Sequence, residues 1–269
     1  MRKLVNLQPT KLQTLILGAL PFIAVILIYL VASDLRLQEN PKDKLLPAFS
    51  TMGETLLRLT TEESRRTGDI IFWGDTFASL ERMAMGVGIS ALIALLFGLA
   101  QGSFPLVRAK LSPFTTAIAM VPPMAMLPVL FIVFGLGELS KVVLIIIGIT
   151  PFLIRDLQQR VQELPEEQWI KAQTLGANSW QLMTRMVLPQ MMPRLIDAVR
   201  LSMGAAWLFL IAAEAIAANE GLGYRIFLVR RYMAMDTILP YVAWITVLAI
   251  CADQLLRQIN RRVFPWYQK

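Results

Sequence analysis

Six apolar stretches, separated by segments rich in charge, dominate the chain. Three of them have no charged residue over 22 to 27 positions, namely Leu12–Ser33, Met83–Val107 and Leu111–Gly137. Three shorter ones reach a similar length only when a flanking charge is included, namely Val142–Ile154, Leu201–Ala213 and Thr237–Ala252. Because about 20 apolar residues in a helix cross the hydrocarbon core of a bilayer, the pattern predicts an all-α membrane protein with six transmembrane helices.

The first apolar stretch has basic residues before it, as a secretory signal peptide would. Its apolar run is longer than the usual core of a signal peptide, and Val31–Ala32–Ser33 is a poor cleavage site. We therefore interpret it as a first transmembrane helix that is retained.

The apolar stretches divide the chain into five parts. They are a cytoplasmic N-terminal segment (1–11), a first transmembrane helix (12–33), a periplasmic connection (34–81), a core with transmembrane helices 2 to 6 (82–260) and a cytoplasmic tail (261–269). Within the periplasmic connection, Leu46–Leu59 has apolar residues near helical spacing. This stretch predicts a short amphipathic helix on the outer face of the membrane.

Composition supports a membrane protein and removes several kinds of chemistry. Hydrophobic residues make up 56% of the chain and charged residues 17%, and the mean hydropathy is +0.56. The absence of His and the single Cys251 exclude His acid–base catalysis, Cys/His zinc sites and intrachain disulfides. We attribute the net charge of +7 to basic cytoplasmic loops rather than to nucleic-acid binding.

The distribution of Lys and Arg predicts the orientation. If the N-terminus is inside, the inner segments carry 15 basic residues, against 4 in the outer segments once the long connection is set aside. Short loops with an excess of Lys and Arg face the cytoplasm. Both termini are therefore predicted to be cytoplasmic.

A long inner connection, about 157–190, contains two predicted short helices. Pro165 suits the first position of a helix, and Glu166 and Glu167 complement the dipole of its first turn. Gly176 is placed to end that helix in a left-handed conformation.

The second of these helices begins at Asn178, which is followed at the capping-box spacing by Gln181. This second helix is predicted to stop at Pro189. The apolar stripe of the helix consists of Trp180, Met183 and Val187. Such a pair of helices is either a docking element for a cytoplasmic protein or a pair lying on the bilayer surface. The pattern alone leaves both interpretations open.

At this loop the residues resemble a known family. The spacing Ala172-x3-Gly176-x9-Met186-x-Leu188-Pro189 is similar to the cytoplasmic loop motif of ABC importer permeases. Other stretches resemble the branch of that family which transports nitrate, sulfonates, taurine and bicarbonate: Val121–Pro123, Phe134–Lys141, Trp207–Glu214, Glu220–Tyr224 and Asp253–Arg262. The resemblance extends over roughly residues 45 to 265.

The resemblance implies the type I ABC importer permease fold and assigns a role to the loop, which would contact an ATPase. The ATPase-coupling residues implied in this way are Glu166, Glu167, Ala172, Gly176, Ala177, Trp180, Leu188 and Pro189. One departure is that Ile170–Lys171–Ala172 stands where the family has Glu-Ala-Ala. Glu166 and Glu167, one turn earlier, are the acidic residues that could take the place of the missing glutamate.

The resemblance also implies partners and a location. It implies a homodimer in a bacterial inner membrane, working with two ATPase subunits and an extracytoplasmic binding protein. ATP and Mg would be bound by the ATPase and no cofactor by this chain, which agrees with the absence of a Walker A sequence. The implied substrate is a small anion such as a sulfonate, taurine, nitrate or bicarbonate, although the branch also includes importers of vitamin precursors.

Several residues of the apolar stretches are candidates for a translocation path or gate. They are Met120, Pro122, Pro123, Met124, Glu214, Gly221 and Gly223. A carboxylate within a membrane is costly unless it is paired or wet, so Glu214 predicts a structural or gating role, with direct substrate contact as the alternative. Mid-span prolines are tolerated where they line a cavity, but they also occur in ordinary kinked helices. Gly221 and Gly223 favour a tight turn by which the chain re-enters the membrane at the outer side, and this turn is either a gate or a plain turn.

Three further patterns predict contacts. Gly98 and Gly102 form a G-x3-G pair, and Gly86 with Ser90 forms a similar small-residue pair, which predicts close helix packing. The i, i+4 spacing of Asp253 and Arg257 predicts an ion pair. Outer basic residues could contact a binding protein, attract an anion or simply be solvated: Arg225, Arg230 and Arg231.

Two other functions remain open at this stage. A secondary transporter would need no ATPase, but such carriers usually have an inverted repeat and ionisable relays. The chain has one clear mid-span acid and no evident repeat. A membrane anchor or sensor subunit would bind a partner without transporting a solute.

Overall fold

The computed structural model of the protein describes residues 9–40, 43–63, 68 and 70–268. Every regular element in these residues is helical, so the predicted all-α class is confirmed. The α-helices are α1 (Lys11–Glu39), α2 (Phe49–Thr61), α3 (Ile71–Ser103), α4 (Pro105–Ala119), α5 (Leu127–Phe134), α6 (Glu138–Gln162), α7 (Glu166–Thr174), α8 (Ser179–Gln181), α9 (Leu188–Ala217), α10 (Leu222–Arg230) and α11 (Met235–Val263). Two 3₁₀ turns (Pro123–Met126 and Pro265–Gln268) and a π-helical segment (Leu182–Val187) complete the list.

One compact unit contains α1, α2 and residues 229–240. The Tyr29 and Ser33 hydroxyls of α1 donate to the carbonyls of Pro47 at 2.7 Å and Leu46 at 2.9 Å, which fixes the chain just before α2. The helix predicted over 46–59 is confirmed as α2, and its Met52 is buried. No residue is buried in the most apolar stretch of α1, as expected for a helix surrounded by lipid.

Four helices in the described residues are long and apolar enough to cross a membrane: α1, α3, the continuous helix Ser179–Ala217, and α11. A fifth crossing is possible if α4 and Pro123–Phe134, which are bent by 82° relative to each other, form one broken span. The remaining predicted span lies in α6, which is about 37 Å long at 1.5 Å per residue. Helix α6 is not among the helices that are long and apolar enough to cross a membrane, so a sixth crossing stays a prediction.

The predicted bounds of two spans need correction. The second was predicted over 83–107, but α3 begins at Ile71 and ends at Ser103, where Pro105 starts a new helix. The connection predicted over 34–81 is correspondingly shorter. The third span was predicted as continuous over 111–137, but it breaks after Ala119, because Pro122 and Pro123 have no N–H to donate to the preceding turn.

Helix α6 packs between α3 and α9 in the second compact unit, residues 63–228 and 241–269. The small residues of α3 are the ones that meet α6. A Cβ built on Gly102 would lie 2.5 Å from Cβ of Val161, and one on Gly86 would lie 2.8 Å from Cβ of Ile145. The predicted close packing is therefore present, and the structure identifies α6 as the partner.

Replacing Gly102 with Ala should destabilise the α3–α6 contact by about 1–3 kcal/mol, the usual cost of overpacking a tight core. The measurement is the free energy of unfolding of the purified protein in detergent. Gly88→Ala on the same helix is the matched control, because nothing lies within 4 Å of its added Cβ. Equal stabilities of the two variants would contradict the close approach of the helices.

Candidate functional site

Glu214, near the end of α9, is fully buried and its carboxylate is surrounded by donors. Nη1 of Arg82 lies 2.7 Å from Oε1 of Glu214, and the backbone N–H of Gly223 donates to Oε2 at 2.9 Å. The Ser79 hydroxyl lies 2.7 and 3.0 Å from the two oxygens. Because a buried charge is tolerated when it is paired and hydrogen-bonded, this arrangement explains how Glu214 can sit inside an apolar helix bundle.

Arg82 of α3 is the centre of this cluster and is only 2% exposed. Its guanidinium also pairs with Glu138, the first residue of α6, and donates to the backbone carbonyl of Glu220 at 3.0 Å. Lys141 Nζ lies 2.6 Å from Oε1 of Glu138. One buried cation thus holds α3, α6, α9 and the turn before α10 together, and we call these residues the Arg82 cluster: Ser79, Arg82, Glu138, Glu214 and Glu220.

Asp75, two turns before Arg82 on α3, forms a second buried contact with the same turn. Its oxygens accept from the backbone N–H of Gly221 at 2.8 Å and from Nε of Arg225 at 2.7 Å. The hydroxyl of Tyr241 lies 3.5 Å from Asp75. Arg225, one of the basic residues predicted on the outer face, is therefore held by an internal carboxylate, which argues against a free anion-attracting role for it.

The turn at Gly221 and Gly223 has no room for larger side chains. Gly221 has φ of +122°, and a Cβ there would lie 2.6 Å from the Glu214 carboxyl group. A Cβ on Gly223 would lie 2.6 Å from the carbonyl oxygen of Ile211. The structure thus brings Gly221, Gly223 and Glu214 together, and it accounts for the glycines by close approach. Whether this turn acts as a gate remains a prediction.

The four candidate residues between α4 and α5 are mostly exposed. Met120 is 74% and Met124 41% exposed, and Pro122 lies in the extended link between the helices. Pro123 lines a cavity of about 640 Å³ between α4 and α6. A role of this break in a translocation path is therefore a prediction that rests mainly on Pro123.

The loop 166–189 contains the first predicted short helix as α7 and the predicted start of the second helix at Ser179. Glu166 and Glu167 occupy the exposed first turn of α7, and Gly176 after it has φ of +82°, the left-handed conformation expected. Asn178 caps the next helix, with its Oδ1 accepting from the N–H of Gln181 at 2.8 Å and the reciprocal bond at 3.0 Å. The local signals in this stretch therefore specify its backbone.

One prediction about the loop is wrong, since Pro189 does not stop the second helix. The chain continues as one 39-residue helix, Ser179–Ala217, and Leu188 and Pro189 lie in the first turn of α9. A π-helical segment, Leu182–Val187, precedes them, and the N–H of Leu188 donates to the carbonyl of Met183, five residues earlier. A proline has no N–H for the usual hydrogen bond to the carbonyl four residues earlier. The wider π-helical turn uses hydrogen bonds to the carbonyl five residues earlier instead, so the helix continues through Pro189.

The loop exposes large apolar side chains. Leu175 is 80%, Trp180 71% and Ile170 54% exposed. Beside them is a groove of about 360 Å³ whose lining includes Ala172, Gly176 and Ala177. Exposed apolar side chains next to a groove are typical of a protein-binding surface.

Comparison with known proteins identifies the family. A family model described as binding-protein-dependent transport system inner membrane component matches residues 63–265. The taurine transport system permease protein TauC of Escherichia coli (strain K12) is 33% identical over 199 residues, which cover 74% of this chain and 72% of TauC. The chain belongs to this family. The resemblance found in the sequence is thereby confirmed.

Other relatives and a solved structure agree. The putative aliphatic sulfonates transport permease protein SsuC of Bacillus subtilis (strain 168) is 26% identical, over 77% of this chain and 75% of SsuC. The bicarbonate transport system permease protein CmpB of Synechococcus elongatus is 26% identical, over 71% and 69% of the two chains. A chain of the MetNI methionine ABC transporter in an inward-facing conformation has a TM-score of 0.59 at 19% identity, covering 72% of this chain and 96% of that one. This last match supports the fold.

Family membership settles the general role. The chain is the multi-pass permease subunit of a binding-protein-dependent ABC importer, and it works with a separate ATPase and a substrate-binding protein. The permease itself is not an enzyme. A secondary transporter and a non-transporting anchor, the two alternatives left open by the sequence, do not fit this family.

Sequence reasoning missed two members of the buried network and one ion pair. Arg82 and Asp75 both stand before the uncharged run that marks the second span, so the hydrophobic pattern does not place either of them in a membrane helix. The predicted Asp253–Arg257 pair is not formed in the described residues. Asp253 instead pairs with Arg200 of α9, whose Nε lies 2.8 Å from its Oδ1.

Replacing Arg82 with Leu should lower the free energy of unfolding by about 3–5 kcal/mol, because the Glu214 carboxylate is left buried without its cation. The double variant Arg82→Leu/Glu214→Leu should lose less than the two single variants together. Thermal or denaturant unfolding in detergent measures this coupling. Arg58→Leu, at an exposed position of α2, serves as the control and should change stability by no more than about 0.5 kcal/mol. Strict additivity of the two single changes would contradict the pairing.

Proposed function

We propose that two copies of this chain form the translocation path of an importer of a small anion such as a sulfonate, taurine, nitrate or bicarbonate, and that the loop 166–189 of each copy contacts one of two ATPase subunits. ATP and Mg are bound by those ATPase subunits, and this chain binds no cofactor. The observation that carries the proposal is the exposed apolar surface of the loop, formed by Ile170, Leu175 and Trp180 beside the groove. A single set of membrane helices without a duplicated half fits a two-fold symmetric dimer.

The connection of the loop to the Arg82 cluster supports a mechanical role. The loop continues directly into α9, and Glu214 lies 26 residues beyond Leu188 on the same helix. At 1.5 Å per residue, this distance is about 39 Å, roughly the thickness of a membrane. Movement of the loop by an ATPase would therefore displace the helix that carries Glu214, and the outer turn at Gly221 with it. We infer that this is how the path alternates between inward- and outward-facing states.

The proposed substrate class comes from the relatives. Their names specify taurine, aliphatic sulfonates and bicarbonate, which are small molecules that carry an anionic group. The proposed location is the bacterial inner membrane with both termini in the cytoplasm, since 15 basic residues in the inner segments against 4 in the short outer ones follow the positive-inside rule.

The experiment that tests the function is reconstitution of the permease with its ATPase and binding protein in proteoliposomes. ATP-dependent accumulation of taurine or ethanesulfonate, together with ATP hydrolysis stimulated by the loaded binding protein, is the expected result. Uptake that persists without ATP hydrolysis would contradict the proposal, and so would the absence of any uptake of these anions.

Replacing Gly176 with Pro should abolish ATPase stimulation while leaving membrane insertion intact. Proline cannot adopt the φ of +82° found there, and it removes the N–H that donates to Gln173 at 2.9 Å. Trp180→Ala, which keeps the backbone, should lower stimulation by about tenfold or more if this side chain is an anchor of the interface. ATP hydrolysis by the reconstituted complex measures both effects.

The control for Trp180→Ala is Trp266→Ala, because Trp266 is also a well-exposed tryptophan (57%) but lies in the C-terminal 3₁₀ turn. It should leave the stimulation unchanged. Normal stimulation of ATP hydrolysis in both Gly176→Pro and Trp180→Ala would count against the loop as the ATPase contact.

A further inference from the structure

The cavity between α4 and α6 has a polar and an apolar part. Its volume of about 640 Å³ is ample for a small organic ion. The apolar part is formed by Ile118, Val121, Pro123 and Ile147, beside the break in the third predicted span. The polar part is formed by Ser112, Thr116, Arg155 and Gln158. A ligand with an anionic head and a short carbon chain matches this division.

Arg155 provides the positive charge of the cavity lining, which also includes the acidic Asp156. Within the described part of the chain it has no ion pair, and its neighbour Asp156 is held by Arg160, whose Nε lies 2.7 Å from Oδ2 of Asp156. Arg200, Arg82 and Arg225, by contrast, each contact a carboxylate of this chain. The guanidinium of Arg155 is therefore available to an external anion, and such a group can bind a sulfonate or carboxylate through two parallel hydrogen bonds.

Gln158, one turn further along α6, adds a second and independent observation. Its Oε1 is buried and has no hydrogen-bond partner, while its Nε2 lies 3.5 Å from the hydroxyl of Ser112 across the cavity wall. Buried polar atoms are nearly always satisfied by protein, water or ligand. Gln158 therefore has hydrogen-bonding capacity that its own chain does not use, beside the cavity that Arg155 lines.

The position of Arg155 along α6 fits a contact on the inner half of the path. It lies 17 residues after Glu138, which is about 25 Å along the helix at 1.5 Å per residue. Glu138 belongs to the Arg82 cluster near the outer turn, so the two charged groups stand toward opposite ends of α6. An anion released on the outer side would meet Arg155 late in its passage.

We propose that Arg155 is a substrate-contacting residue, which binds the anionic group of the transported molecule in the cavity between α4 and α6. This inference rests on the proposed function and adds a specific contact to it. It implies that the permease itself selects for negative charge, in addition to any selection by the binding protein.

The test uses the complex of permease and ATPase in nanodiscs, without binding protein and without ATP, and measures the binding of radiolabelled taurine and ethanesulfonate. Wild type should bind at least one of them saturably. Arg155→Gln should weaken that binding by at least about tenfold, as expected for loss of a charged hydrogen bond, and Arg155→Lys should retain part of it. Arg257→Gln, which removes a charge at an exposed position of α11, should have no effect.

Transport by the full assembly gives the second measurement. Arg155→Gln should lower taurine uptake, while the loaded binding protein still stimulates ATP hydrolysis, since assembly and loop contact are unaffected. Equal binding and uptake in wild type and Arg155→Gln would overturn the inference, as would the absence of saturable binding in wild type. In either case, ATP-driven uptake by wild type would leave the proposed function standing, whereas its absence would overturn the proposed function instead.

Discussion

A carboxylate inside an apolar helix bundle requires a cation and several donors, and this requirement organises one end of the helix bundle of the permease. Glu214 receives them from Arg82, Ser79 and the backbone of Gly223. Arg82 of α3 also pairs with Glu138 at the start of α6 and donates to the carbonyl of Glu220. It therefore fixes the start of α6, the end of α9 and the turn that follows α9. The cluster therefore connects α3, α6 and α9, and a displacement of α9 would change the contacts within it.

The loop 166–189 and the Arg82 cluster lie toward opposite ends of one helix. A break at Pro189 would have separated them, but the π-helical segment Leu182–Val187 lets the helix continue into α9. In the proposed mechanism, this continuous helix carries a displacement of the loop toward Glu214, while the α3 glycines pack closely against α6. The same architecture leaves space beside α4, because the third predicted span bends by 82° and α5 turns away.

The charges of the permease fall into two groups with different physical roles. Asp75, Arg82 and Glu214 are at most 2% exposed, and each is matched by a partner in the chain, so they contribute to shape rather than to recognition. Arg155 and the loop residues Glu166 and Glu167 are exposed. The charged side chains of this second group can bind a substrate or a partner protein, because they are exposed to solvent.

Local signals let the sequence by itself determine the helical class, the short helix α7 of the loop, the left-handed turn at Gly176 and the capping box of Asn178 and Gln181. Each depends on residues within a few positions of one another. The tertiary structure decided which partner satisfies Glu214, since Arg82 lies 132 positions away, and which helix the glycines of α3 meet. It also decided the break after Ala119 and the passage of the helix through Pro189. The partner of Glu214 and the packing of the α3 glycines depend on contacts between distant segments, whereas the break and the passage through Pro189 depend on backbone hydrogen bonding near prolines; the pattern of hydrophobic and polar residues encodes neither.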